Sequence, residues 1–223
     1  MVLVALTFDL DDTLLDFAAA QREGLAMVRQ EIIAALGLAP DALPVGEMMA
    51  LRDRVTADWA GPWNLPAIRL AGFRRILERA GCRDEALARQ VTEHYGAYRN
   101  QCIRPYPDAL PALARLAGRY RLGAVSNGSS SLAHAGLDGY LSFAVFADDT
   151  GIAKPDPRLF GHALALAGCA PHEALHVGDA LREDVGGAQA AGMRAVWLNR
   201  AGRPNDTDIR PEETIASLSE LRI

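Results

Sequence analysis

The chain has 223 residues, which is enough for one or two domains with a buried core. Half of the residues are apolar, 23% are charged and the formal net charge is -5, a composition that argues against a nucleic-acid or membrane-surface partner. Three widely spaced cysteines without a C-x-x-C pair argue against structural disulfides and zinc, and they predict a reducing, cytoplasmic location. The short apolar start is not expected to be a signal peptide, and no stretch is long enough to predict a membrane span.

The first predicted element is the uncharged run from Val2 to Thr7, which has the composition of a strand buried on both faces in a parallel sheet. Asp9, Asp11 and Asp12 follow within a few residues. Ligands of open α/β sheets bind beyond the carboxyl ends of the strands, and two neighbouring carboxylates repel each other in a dry crevice unless a cation relieves them. The acids therefore favour a Mg²⁺ site. An alternative from these residues alone is a simple turn whose short side chains bond nearby amides.

A long helical region follows this strand. Leu25, Val28, Ile32 and Leu36 recur at helical spacing, and Gly37 is a suitable cap. Three more helices are predicted, over residues 44–59, 67–80 and 84–102, and no strand interrupts them. Residues 17–103 are therefore expected to form an inserted helical cap domain, with Trp59 in its core and the place of Trp63 left open. Residues 1–16 and 104–223 would form the main domain.

The main domain resumes after Pro105 with alternating helices and strands. Strands are predicted over residues 122–125, 143–146, 174–177 and 194–198, and helices over 109–118, 129–137, 157–167 and 184–191. The tail, 212–221, is expected to be one short strand or helix. Repeated β-α-β units predict an α/β fold with a doubly wound, mostly parallel, Rossmann-like sheet and an inserted all-helical cap. His176 is interpreted as a packed core residue of the strand over 174–177.

Polar groups suited to a phosphate follow the predicted strands. Ser126-Asn127-Gly128 offers a hydroxyl and a small turn whose backbone N–H groups can face an anion. Lys154 is the one lysine among 23 basic residues, and its compact ammonium binds phosphate as a point charge. Asp179 offers a further metal carboxylate, and Asp184 suits a helix cap or a loop-orienting role. Each signal alone also fits an ordinary turn or surface residue, but together they converge on one sheet edge.

As a set, these motifs resemble the haloacid dehalogenase superfamily of hydrolases. The matching residues are Asp9-Leu10-Asp11-Asp12-Thr13, Ser126-Asn127-Gly128, Lys154-Pro155 and Gly178-Asp179 through Asp184, and the helical insertion resembles the family's C1 cap. The resemblance implies a phosphatase that acts on a small phosphorylated metabolite through an aspartyl-phosphate.

The resemblance also implies a role for each residue. Asp9 would be the nucleophile, and Asp11 the acid that protonates the leaving alcohol and then the base that activates water. Mg²⁺ would be held by Asp9, the backbone carbonyl of Asp11, and Asp179. Ser126, Asn127 and Lys154 would bind the phosphoryl group, while Asp184 would support the site and Thr13 would fix the loop.

Several rival functions fit parts of the pattern. Dehalogenases of the family generally lack the second aspartate, so Asp11 favours a phosphatase. A phosphomutase would share the same residues and differ in the phosphate acceptor. A receiver domain is opposed by the order of Ser126 and Lys154 before the last acid, and a ligand-binding pseudo-enzyme is opposed by the complete set of acids and the lysine. Neither the substrate nor the oligomeric state follows from the sequence.

Overall fold

The computed structural model describes residues 2–223, which separate into two compact units. The first comprises residues up to Asp16 and from Arg104 to Ile223, and the second comprises Phe17–Ile103. Within residues 2–223, no helix is both long and apolar enough to cross a bilayer.

The first unit is built on a parallel sheet. Six strands in the described residues lie in the order β3-β2-β1-β4-β5-β6, and each neighbouring pair is parallel. The strands are β1 (Ala5–Phe8), β2 (Arg121–Ser126), β3 (Phe143–Phe146), β4 (Ala174–Gly178), β5 (Arg194–Leu198) and β6 (Glu213–Ile215). The predicted Rossmann-like fold class is confirmed, and because β1 is uncharged and central, all four of its residues are buried.

Helices connect these strands. They are α5 (Ala109–Leu116), α6 (Ala147–Thr150), α7 (Pro157–Ala167) and α8 (Gly187–Ala190). Helix α7 has the predicted bounds, because the Asp156 side chain accepts a hydrogen bond from the Arg158 N–H at its start and Gly168 adopts a left-handed conformation at its end. The predicted tail forms both β6 and a short 3₁₀ turn, Leu218–Glu220.

Two predicted helices of this unit differ from the structure. Residues 132–136 form turns and residues 129–131 have no regular secondary structure, so the helix predicted over 129–137 is wrong. Serine hydroxyls compete with helical hydrogen bonds, and the Ser130 hydroxyl bonds the side chain of Asp11 instead. The helix predicted to begin at Asp184 starts earlier, as a π-helical segment, Leu181–Gly186, that continues into α8. Asp184 therefore lies inside the helical segment and is not its N-cap.

The second unit is helical. Its described helices are α1 (Phe17–Leu36), α2 (Val45–Ala57), α3 (Leu65–Arg79) and α4 (Glu85–Cys102). Leu25, Val28 and Ile32 are buried in its core, as their spacing predicts. Trp59 is only half-buried and donates its indole N–H to the Pro62 carbonyl at 3.1 Å, so its predicted core position is wrong. Trp63 is also half-buried.

Candidate active site

Asp9 follows the central strand directly. Its backbone N–H donates to the Val177 carbonyl at 2.9 Å, which extends the pairing of β1 with β4, and its side chain is almost fully buried. The chain then reverses in a tight turn in which Asp12 has a φ of 63° and the N–H groups of Leu14 and Leu15 donate to the Leu10 carbonyl at 2.9 Å. The residues after Asp9 thus form a turn, as the alternative interpretation of these acids expected for the backbone. The turn leaves Asp9 at the carboxyl end of the sheet.

Lys154 joins two acids that are distant in the chain. Its Nζ atom lies 2.5 Å from Oδ1 of Asp9 and 2.6 Å from Oδ1 of Asp184, and all three side chains are buried. Burial alone would lower the pKa of Lys154, but the carboxylates of Asp184 and Asp9 outweigh burial and raise it. The ammonium therefore stays charged at the end of the sheet.

Asp184 is held by several donors at once. Its Oδ2 accepts from the Ala180 N–H at 2.9 Å, and its Oδ1 also lies 3.4 Å from Nε2 of His176. Burial opposes ionisation, but Lys154 and His176 outweigh it and hold the pKa of Asp184 well below its ordinary value. Gly178 makes room for this carboxylate, since a Cβ atom there would lie 2.2 Å from Cγ of Asp184. His176 is buried, as predicted, and its Nδ1 lies 2.9 Å from the Thr7 hydroxyl.

Asn127 positions Lys154. Its Oδ1 accepts from the Lys154 backbone N–H at 2.7 Å, and its Nδ2 donates to the Lys154 carbonyl at 3.1 Å. The amide side chain is therefore engaged with the lysine, and the phosphate-binding role predicted for Asn127 can involve its backbone N–H. Ser126, which ends β2, is buried, and its hydroxyl accepts from the Gly128 N–H at 3.0 Å.

Asp11 contacts the same loop. The Ser130 hydroxyl donates to Oδ1 of Asp11 at 2.6 Å, and a Cβ atom at Gly128 would lie 2.2 Å from Oδ2. Sequence reasoning missed Ser130, because its one signal was its place as the second of three serines after the Ser126-Asn127-Gly128 motif. Asp11, which follows β1, is thus in direct contact with the loop that follows β2.

Asp179 lies beyond the end of β4. Its backbone carbonyl accepts from the Trp197 indole N–H at 2.9 Å, and Nη2 of Arg203 lies 3.2 Å from its Oδ2. Burial raises the pKa of Asp179 to about 6. Neither Trp197 nor Arg203 was expected at the site, since both come from the last third of the main domain and carry no motif.

The acid cluster has a donor set suited to a hard cation. Asp9, Asp179 and Asp184 each place one carboxylate oxygen within 4.8 Å of the others. Burial raises the pKa of Asp9 although Lys154 opposes the shift, so the protein's own cations do not fully compensate the buried charge. Oxygen ligands of this kind suit Mg²⁺. Both oxygens of Asp184 already accept hydrogen bonds, Oδ1 from Lys154 and Oδ2 from the Ala180 N–H, whereas the contact with Lys154 involves only Oδ1 of Asp9. Asp9 and Asp179 are therefore the better ligands.

Thr13 contacts a distant part of the main domain through its backbone. Within the described residues its buried hydroxyl has no hydrogen-bond partner, whereas its carbonyl accepts from Nη2 of Arg200 at 2.9 Å. Arg200 also makes two 2.9 Å bonds to the carboxylate of Asp108 and stacks 4.0 Å from the ring centroid of Tyr106. The loop-fixing role of Thr13 stays a prediction, and the contact that could serve it comes from Arg200, which sequence reasoning missed.

The fold and these strand-end motifs define a hydrolase of the haloacid dehalogenase type. A model of the haloacid dehalogenase-like hydrolase family matches residues 3–192, and the chain therefore belongs to that family. A phosphoserine phosphatase of Thermus thermophilus is 39% identical over 171 residues, which cover 74% of this chain and 66% of that enzyme. A glyceraldehyde 3-phosphate phosphatase of Methanopyrus kandleri is 30% identical over 218 residues, or 95% and 90% of the two chains.

The same fold occurs in a solved dehalogenase. The crystal structure of a 2-haloacid dehalogenase from Pseudomonas syringae pv. Tomato DC3000 is 35% identical, covers 98% of this chain and 96% of its own, and has a TM-score of 0.78. The predicted enzyme class, a hydrolase akin to phosphoric monoester hydrolases, is confirmed by the family and by these relatives.

Proposed function

We propose that the protein is a Mg²⁺-dependent phosphatase of a small phosphorylated metabolite in the cytoplasm. The observation that carries the proposal is the contact between the Lys154 ammonium and the Asp9 carboxylate, at 2.5 Å, at the carboxyl end of the central strand. A buried nucleophile beside a fixed positive charge is suited to attack a phosphate, since the charge attracts the phosphoryl oxygens and stabilises the transition state. The related phosphoserine and glyceraldehyde 3-phosphate phosphatases support this substrate class.

Hydrolysis would proceed in two displacements. A carboxylate oxygen of Asp9 attacks phosphorus, the bond to the alcohol oxygen breaks, and Asp11 gives that oxygen a proton. Asp11 then removes a proton from a water molecule, which attacks phosphorus and releases inorganic phosphate with Asp9 restored. Ser126, the backbone N–H of Asn127 and Lys154 hold the phosphoryl oxygens in both steps. Asp184 keeps the ammonium of Lys154 in place, and Arg200 holds the loop through Thr13.

The metal would be held by Asp9, the backbone carbonyl of Asp11, and Asp179. When bound, Mg²⁺ supplies the positive charge that shields the Asp9 carboxylate from the negative charge of the phosphate. Burial raises the pKa of Asp9 and of Asp179, so nearby cations of the protein do not fully balance their negative charges. This supports the assignment of both residues as metal ligands.

Dehalogenation is the second candidate, because the solved 2-haloacid dehalogenase is 35% identical to this chain. A halide leaves without a proton, so a dehalogenase has no use for a general acid. Asp11 is present two residues after the nucleophile and is held by Ser130, which favours an ester whose alcohol must be protonated. A phosphomutase would differ in passing the phosphoryl group to a sugar phosphate instead of water.

A release assay tests the proposal. Purified protein is incubated with phosphoserine, glyceraldehyde 3-phosphate, phosphoglycolate, nucleoside monophosphates and sugar phosphates, with Mg²⁺ or with a chelator, and 2-chloropropionate is included to detect halide release. We expect phosphate release that needs Mg²⁺, no halide release, and no turnover by Asp9→Asn. Asp138→Asn, the same change at an exposed acid of the main domain, serves as the control and should keep full activity. Wild-type turnover by Asp9→Asn would overturn the proposal.

A further inference from the structure

The hydroxyl of Ser130 makes a contact that the proposed mechanism does not use. Ser130 is 1% exposed, and its Oγ atom donates to Oδ1 of Asp11 at 2.6 Å. A short hydrogen bond from a buried hydroxyl to a carboxylate is among the stronger hydrogen bonds in proteins. The partner of this buried hydroxyl is the acid proposed to protonate the leaving group, which points to a role for Ser130 in placing that acid.

The second oxygen of Asp11 is confined by the same loop. A Cβ atom at Gly128 would lie 2.2 Å from Oδ2 of Asp11, so the carboxylate fits closely against the backbone of a residue that has no side chain. The position of Gly128 is in turn set by its N–H, which donates to the Ser126 hydroxyl at 3.0 Å. One carboxylate oxygen is thus hydrogen-bonded and the other is sterically restricted.

The local backbone explains why Ser130 can make this contact. Residues 129–131 are not helical, although the sequence predicts a helix there. The neighbouring Ser131 has a different partner, since its hydroxyl accepts the N–H of His134 at 3.3 Å within the following turn. Ser131 is therefore a second hydroxyl of this loop whose partner is not Asp11, which makes it a suitable comparison for Ser130.

We infer that Ser130 is a positioning residue that holds the Asp11 carboxyl group in the orientation needed for proton transfer to the leaving alcohol. This inference rests on the proposed phosphatase function. A general acid acts only within hydrogen-bond reach of the atom that it protonates, and a rotation about the side-chain bonds of Asp11 would remove it from that reach. Ser130 and Gly128 together restrict that rotation.

Substrates with different leaving groups distinguish a positioning role of Ser130 from a merely structural role. An alkoxide is a poor leaving group and needs the proton from Asp11, whereas p-nitrophenolate leaves with little help. Loss of the Ser130 hydroxyl should therefore impair hydrolysis of an alkyl phosphate much more than that of p-nitrophenyl phosphate. General damage to the site would impair both esters equally.

The experiment measures kcat/KM for Ser130→Ala on p-nitrophenyl phosphate and on the alkyl phosphate of the panel that the wild type hydrolyses fastest. We expect kcat/KM to fall about 10- to 100-fold on the alkyl ester, which is less than removal of the general acid itself would cause. On the aryl ester we expect it to fall less than about 3-fold. Ser131→Ala is the matched control and should equal the wild type on both. If Ser130→Ala does not fold, Ser130→Cys keeps the volume, weakens the donor and should show the same contrast.

Equal losses on the two esters, or no loss on either, would overturn the role of Ser130 and leave the phosphatase proposal standing. A wild type that hydrolyses neither ester would overturn the phosphatase proposal, and the role of Ser130 with it.

Discussion

The Nζ atom of Lys154 lies 2.5 Å from Oδ1 of Asp9, although 145 residues separate the two in the chain. Asp184 shares the same ammonium, so one lysine compensates part of the charge of two buried carboxylates. Removing one partner from a buried charge network costs about 3–5 kcal/mol, because it leaves an uncompensated charge behind. Lys154 therefore has a structural role in addition to the proposed binding of phosphate.

Lys154→Arg should lose most of its activity although it keeps the charge. A planar guanidinium is larger than an ammonium and cannot occupy the same space between Asp9 and Asp184. We expect kcat to fall about 10²- to 10³-fold, the range seen when a transition-state donor is lost. Arg158→Lys, the reverse exchange at an exposed site, is the control and should leave kcat unchanged. Full activity of Lys154→Arg would mean that a point charge is not required there.

Asn127→Ala should misplace Lys154 without removing it. The Asn127 amide makes two hydrogen bonds to the backbone of Lys154, and each contributes about 1 kcal/mol to stability. We expect a loss of about 2 kcal/mol in the free energy of unfolding, measured by urea titration, and a fall in kcat of about 10-fold or more. Asn205→Ala also removes two local amide–backbone bonds, but at an exposed loop, and should lower stability while keeping kcat. Equal kcat values for the two variants would contradict the positioning role of Asn127.

Gly178→Ala should destabilise the protein through a clash with Asp184. The added Cβ would lie 2.2 Å from Cγ of that residue, which must then move away from Lys154. Overpacking of this kind costs about 1–3 kcal/mol, or about 2–4 °C in Tm per kcal/mol for a chain of this size. Gly161→Ala, in helix α7 with open space around it, should instead raise Tm slightly, because alanine favours helix. A Tm for Gly178→Ala at or above that of the wild type would show that the carboxylate does not need this space.

The Asp108–Arg200 pair should make stability depend on pH. Burial opposes ionisation of Asp108, but hydrogen bonds from Arg200 and Ser217 outweigh burial and hold its pKa below the ordinary value. A carboxyl group with a lowered pKa in the folded state contributes stability above its unfolded pKa of about 3.9, and that stability is lost as the pH falls through the folded value. The difference in unfolding free energy between wild type and Asp108→Asn should have its maximum value at pH 7 and decrease below pH ~4. A difference that stays constant over this range would exclude the ionised pair as its source.

The regular elements could be predicted where sequence signals are local. Strand β3, helix α7 and strand β5 have the predicted bounds, and their signals are local. Strand β3 is a short apolar run, β5 is apolar after Arg194, and α7 begins at Pro157 and is followed by Gly168. The helix predicted over 129–137 failed because Ser130 bonds Asp11, 119 residues away, and such a contact is not visible in a local pattern.

The residues of the candidate site divide in the same way, into those with a local sequence signal and those defined by long-range contacts. Asp9, Asp179 and Lys154 were identifiable because each follows a predicted strand, and the parallel sheet brings strand ends together. Ser130, Arg200 and Arg203 act through hydrogen bonds to the loop or to an acid that is distant in the chain, and serine and arginine are common in this sequence. Their roles depend on side-chain geometry that strand order alone does not determine.

The central claim is that Asp9 becomes phosphorylated during turnover. The most direct test is to quench the enzyme with acid during turnover of its best substrate and to analyse the peptide that contains Asp9 by mass spectrometry. We expect that peptide to gain the mass of one phosphoryl group, with the fragment ions assigning it to Asp9, and we expect no gain in Asp9→Asn. Steady turnover by the wild type with phosphate on no residue, or on a residue other than Asp9, would contradict the account.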